Sequence, residues 1–86
     1  MEKNTQDTLK NLHDQLSTTK LPDKEKQKHL DTAAAAIRET LDKPDAPQRK
    51  TLRGQLEKTL SLFEAEHPAL ATGLREAIDI LAEAGF

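Results

Sequence analysis

The chain has no cysteine, tryptophan, tyrosine or valine among its 86 residues. Without cysteine there is no disulfide framework and no thiolate to hold a metal or attack a substrate. With Phe63 and Phe86 as the only aromatics, the stacking platforms that hold single-stranded nucleic acid are essentially excluded. The lack of valine, with a single Ser/Thr-rich patch at Ser17, Thr18 and Thr19, argues against strands. No apolar run approaches the roughly 20 residues of a membrane-spanning helix. The opening M-E-K-N-T-Q-D-T-L-K has no apolar core of a secretory signal. A cytoplasmic protein that crosses no membrane is the expectation. The glycines, at 54, 73 and 85, are too scattered to form a nucleophile elbow or a phosphate-cradling loop. No enzyme is expected.

Leu, Ala, Glu, Lys, Gln and Arg dominate instead, and these are strong helix formers. Apolar residues recur at helical spacing in four segments, predicting helices over about 4–18, 23–42, 47–66 and 68–84 in one domain. The first carries Leu9, Leu12 and Leu16. The second, opening at L-P-D with Pro22 in the first turn, carries Leu30, Ala34, Ile37 and Leu41. The third carries Leu52, Leu56, Leu60 and Phe63, and the fourth Leu70, Leu74, Ile78 and Leu81. The run D-K-P-D-A-P at 42–47 is the clearest loop. Gly85 is placed as a left-handed C-terminal cap, with Phe86 folding back on the last turn. The four alanines at 33–36 would let another helix approach closely.

His67 and Pro68 interrupt the last of these patterns. The apolar phase runs through them in steps of three and four, at 52, 56, 60, 63, 67, 70, 74, 78 and 81. No Gly or Asn ends the third segment, so a kink or tight elbow at 66–68 is expected rather than a hairpin turn. L-P-D lies about as far before the 42–47 tip as His67-Pro68 lies after it. The reading is an all-α antiparallel hairpin with one joint in each arm. Arms of about 38 residues would reach roughly 57 Å at about 1.5 Å per residue. Such a hairpin is too thin to shield its own seam, so two would pair into a four-helix-type bundle. In the alternative, the joints fold back and one chain makes a compact bundle alone. Large apolar side chains are few: thirteen Leu, three Ile, two Phe and one Met. For a chain this short, self-association is therefore expected.

The candidates for chemistry are thin. His13, His29 and His67 are the only histidines, and Glu64-x-x-His67 has the spacing of a di-iron ligand pair. Such sites need two of these pairs and two further glutamates, so no metal or other cofactor is expected. His67 reads better as a half-buried imidazole bonding a carbonyl freed by Pro68. Charge is uneven: Arg49, Lys50, Arg53 and Lys58 face one acid over 49–58, while 64–83 carries five acids and Arg75. Arg49 and Lys50 sit where a helix dipole disfavours cations. Their structural reason is Glu39 and Asp42 across the tip, and this is favoured over the functional one. The functional one is an acidic partner, with Lys20, Lys24, Lys26 and Lys28 as a second patch. With a net charge of −2, nucleic acid is a weaker candidate.

Two stretches carry a resemblance. L-K-N-L-H-D-Q-L at 9–16 resembles an L-x-x-L-H-x-x-L opening, and F-E-A-E-H-P-A-L at 63–70 resembles an E-x-x-H-P-x-L tail. Together they look like a family of small bacterial proteins of about this length, known only as a domain of unknown function. The resemblance implies an all-helical architecture and no catalytic residue. The reading is a non-enzymatic, self-associating helical adaptor. The leucines and other stripe residues, with His67 and Pro68, would form its seam or interface, and Arg49, Lys50 and Arg53 would meet a protein partner. The rival reading is a nucleic-acid-associated regulator using the patches at 20–28 and 49–58.

Overall fold

The computed structural model of the chain describes residues 2–83. Four helices follow one another: α1 Lys3–Thr18, α2 Lys24–Asp42, α3 Ala46–Phe63 and α4 Pro68–Glu83. Each packs on its neighbours in sequence, and α4 closes the ring on α1. The Cα envelope measures 34 × 21 × 19 Å, about the length of its longest helix. Its radius of gyration is 11.9 Å, against about 12 Å for a compact chain of this length. The bundle is therefore all-α and made by one chain. The extended two-armed hairpin is corrected to the folded-back alternative, because α1 lies against α2 and α3 against α4.

The correction at residues 64–68 has a local cause. α3 ends at Phe63, a turn spans 64–66, and α4 begins at Pro68. A proline disfavours the helical region for the residue before it, so His67 leaves the helix. Pro68 then occupies the first helical position, where its missing N–H is one that no helix satisfies internally. It breaks no hydrogen bond there. The turn is closed instead by His67 N–H donating to the Phe63 carbonyl at 2.9 Å, and Ala71 N–H donates to the His67 carbonyl at 2.9 Å. Apolar phase ran on through a point where the backbone reverses.

The other connections follow from capping. Asp23, not Pro22, starts α2: its carboxylate accepts from Glu25 N–H at 2.9 Å and Lys26 N–H at 3.2 Å. Asp45 caps α3 by accepting from Gln48 N–H at 2.9 Å. In the α1–α2 connection, Gln27 accepts from Leu21 N–H at 2.8 Å and donates to the Thr19 carbonyl at 3.4 Å. The Thr18 and Thr19 hydroxyls donate to the Asp14 and Gln15 carbonyls, and the Thr19 backbone N–H also reaches Gln15, so side chains and backbone together close the end of α1. The expected cap at Gly85 and the fold-back of Phe86 lie outside the described residues.

The core takes four positions from every helix, spaced alternately by three and four: Thr5, Leu9, Leu12, Leu16; Leu30, Ala33, Ile37, Thr40; Leu52, Leu56, Thr59, Phe63; Leu70, Leu74, Ala77, Leu81. Antiparallel neighbours put Thr5, Thr40, Leu52 and Leu81 at one end, and Leu16, Leu30, Phe63 and Leu70 at the other. Most stripe residues read from the sequence are here, but Ala34, Leu41, Leu60 and Ile78 only flank the core. Ala33, Thr59 and Ala77 take the central positions instead, and Ala71 is buried beside them. Small side chains at the middle let four helices close around the large ones. Thr40 and Thr59 tolerate burial because their hydroxyls donate to the Ala36 and Gln55 carbonyls, at 2.8 and 2.9 Å.

Candidate interaction surface

With the seam closed inside the chain, only the outer faces remain for a partner. His67 is half-buried, and its ring packs on Phe63 with centroids 5.8 Å apart and planes tilted by 56°. No freed carbonyl awaits its imidazole, since Pro68 opens a helix and does not interrupt one. Glu64, the other half of the expected ligand pair, accepts from Arg75 Nη2 at 3.0 Å. Among the described residues no three His, Cys, Asp or Glu side chains are placed to hold a metal ion. Nor is any described helix long and apolar enough to cross a membrane.

The basic positions separate into three groups. Lys26 is engaged in the fold: its Nζ lies 2.6 Å from Glu66 Oε2, joining α2 to the α3–α4 turn. That hydrogen bond, with the attraction between the charges, holds Glu66 below the ordinary carboxylate value and Lys26 above the ordinary lysine value. Arg53 Nε lies 3.1 Å from Glu57 Oε1, one turn on in α3. Lys50 is exposed and forms no ion pair with Glu39 or Asp42.

Lys28 and Lys58 behave differently. They line one groove of about 310 Å³ between α2 and α3, with Glu25, His29, Thr32 and Gln55. Both lysines are exposed, and neither forms an ion pair among the described residues. The bundle thus brings one member of each basic patch to a shared surface, while Arg49, Lys50 and Arg53 do not line it. The groove has a sequence signal that went unread. Counting outward from the 43–45 tip puts residue 32 opposite 56 and residue 29 opposite 59, each within one position of a residue that lines the groove. The same counting that aligned the chain's breaks aligns these side chains, because α2 and α3 are antiparallel and joined by a short connection.

Hydroxyl, amide, imidazole and two ammonium groups surround an open trough with one carboxylate, so two cations face one anion. Such a surface suits carboxylates presented along an extended or helical segment. No curated protein matches the chain, and no solved structure does. Residues 5–86 match the family described as a domain of unknown function, DUF4404, and the chain belongs to that family.

Proposed function

We propose that the protein works without catalysis, as a cytoplasmic helical interaction module whose α2–α3 face takes up an acidic protein segment. The observation that carries this reading is the meeting of Lys28 and Lys58 in one groove, neither in an ion pair among the described residues. His29, Thr32 and Gln55 supply uncharged hydrogen-bonding groups between them. Glu25 in the same groove and the overall charge of −2 weigh against a long phosphate backbone, which rewards an uninterrupted basic track.

Self-association fits the same reading through outer faces. Glu76, Asp79 and Glu83 lie exposed on α4 without an ion pair among the described residues. The α4 of a second copy is therefore one acidic segment that the groove can accept.

A labelled oligoglutamate peptide, titrated with the full chain and followed by fluorescence anisotropy, tests the reading. Saturable binding that weakens as salt rises is expected, with loss of binding in Lys28→Glu/Lys58→Glu. Absence of binding at low salt, or binding that survives the double substitution, overturns it. Duplex DNA serves as the second probe. Tighter binding to DNA than to the peptide, with a steep salt dependence, would replace this function by the nucleic-acid reading.

A further inference from the structure

Leu62 and Ile80 are large apolar side chains that the core does not take, and they lie on opposite sides of the bundle. Leu62 is exposed. It follows Lys58 by four residues and Gln55 by seven, so it continues the stripe of α3 that lines the α2–α3 groove. Ile80 is half-buried, yet among the described residues it belongs neither to the core nor to the side chains packed on it. Gly73, seven residues before Ile80, is where a Cβ would meet Leu12 and Gln15, so this side of α4 faces α1. Glu76 and Glu83 share that side, four residues before Ile80 and three after it, and both are exposed. Across from them α1 offers uncharged groups: Thr8 and Asn11 stand on the stripe of Gln15, which bonds Ala69 of α4.

We propose that copies of the chain join head to tail, the α4 edge of one, with Glu76, Ile80 and Glu83, seating on Lys28, Lys58 and Leu62 of the next. This assembly rests on the α2–α3 groove accepting acidic segments, and it specifies the segment, the contact and the symmetry. An acid stands one turn to either side of Ile80, and Lys58 stands one turn from Leu62, roughly 6 Å along each helix at about 1.5 Å per residue. With Ile80 on Leu62, one acid meets Lys58 whichever way α4 lies. Glu25 is the groove's own carboxylate, so the acids of the occupant are directed to the lysines. Because the helices pack in a ring, the α2–α3 groove and the α1–α4 edge are opposite faces. A two-fold dimer uses the same patch on both copies, which these faces do not allow. Each contact leaves one groove and one edge free, so growth continues past the dimer. Exposed ion pairs are weak and screened by salt, so assembly needs high concentration and low salt.

Sedimentation velocity of the full chain, at rising concentration and low salt, tests the assembly. Species larger than a dimer are expected, dispersing as salt rises. Lys28→Glu/Lys58→Glu spoils the groove, Glu76→Gln/Glu83→Gln spoils the edge, and each variant alone should stay monomeric. All four positions are exposed, so both variants keep the fold. Mixed together they should form a one-to-one dimer and nothing larger, since each pair retains one intact groove and one intact edge. Leu62→Ser should weaken assembly about tenfold, the scale of losing one buried apolar side chain, and leave oligoglutamate binding unaltered. A chain that binds oligoglutamate but stays monomeric up to about 1 mM overturns the assembly and leaves the groove reading standing. Assembly that stops at the dimer, or that survives either pair of substitutions, overturns it as well.

Discussion

Gly54 stands in the interior of α3 with nothing within 4 Å of where a Cβ would lie. Gly73 in α4 is its opposite: a Cβ there would come within 2.5 Å of Gln15 Oε1 and 3.4 Å of Leu12 Cδ1. Gln15 uses that space to donate to the Ala69 carbonyl at 3.1 Å, so at Gly73 the α1 side chains lie directly on α4. The two glycines therefore respond differently to alanine. Gly54→Ala should stabilise the chain by about 0.5–1 kcal/mol, from helix propensity alone. Gly73→Ala gains the same propensity but displaces Gln15 from its hydrogen bond, and the net gain should be smaller or reversed. Chemical denaturation of both variants measures the difference, and an equal gain at both positions would contradict the close approach of α1 to α4.

The Lys26–Glu66 pair is the residue-scale feature most open to pH. Glu66 titrates below its ordinary 4.5, so its contribution is present above that range and fades as pH falls through its depressed folded value. Lys26 titrates above its ordinary 10.5, so its contribution holds below that value and fades as pH rises through its raised one. Around neutrality both charges are in place. Glu66→Gln should lower the melting temperature by the same small amount from weakly acidic to weakly basic pH. The deficit should vanish in strong acid and shrink in high salt. A deficit that persists below the carboxylate range would mean that Glu66 acts through packing.

At the scale of the element, Pro68 and Asp45 show how a helix start is recognised. Both stand at the beginning of a helix, Asp45 as the cap of α3 and Pro68 as the first residue of α4. Asp45→Ala removes the acceptor for Gln48 N–H and should cost about 1 kcal/mol. Pro68→Ala removes no hydrogen bond and fills a position where alanine is equally at home. Its effect should stay below about 1 kcal/mol, with the turn intact. Were the proline a kink within one continuous helix, alanine would instead straighten it and raise helical content by circular dichroism.

The elements themselves were legible in the sequence because leucine spacing and helix formers agree over each segment. Boundaries failed where two signals competed. At His67 the apolar phase continued while the backbone turned, and phase alone does not distinguish a helix passing through from a second helix restarting in register. The core failed at its centre for a related reason. Leu60 and Ile78 are larger and more apolar than Thr59 and Ala77, yet four converging helices leave room for small residues at the middle. Leu60 and Ile78 stand on the flanks there, and only packing reveals it. Leu62, 42 % exposed, is apolar at helical spacing and buried in nothing.

For the whole molecule, the closing of the chain on itself decides where function can lie. In a hairpin the leucine seam is a binding surface awaiting a second copy. In the bundle the seam is interior, and what stays outside includes the grooves between helices, one lined by Lys28 with Lys58 and another by Lys10 with Arg38. Their convergence was only partly readable: the α2–α3 pairing follows from counting about a short tip, but the α1–α2 pairing depends on which way the chain turns at 19–23. The central claim is therefore that α2 folds back along α1 within one molecule. As the chain has no cysteine, Lys10→Cys/Arg38→Cys introduces the only two thiols, and spin labels on them report one distance. Electron paramagnetic resonance on that variant, diluted into unlabelled chain so that only intramolecular pairs contribute, measures it. The bundle predicts a distance within its short cross-section of 21 × 19 Å. A separation near 42 Å, roughly 28 residues along an extended arm at about 1.5 Å each, would contradict it.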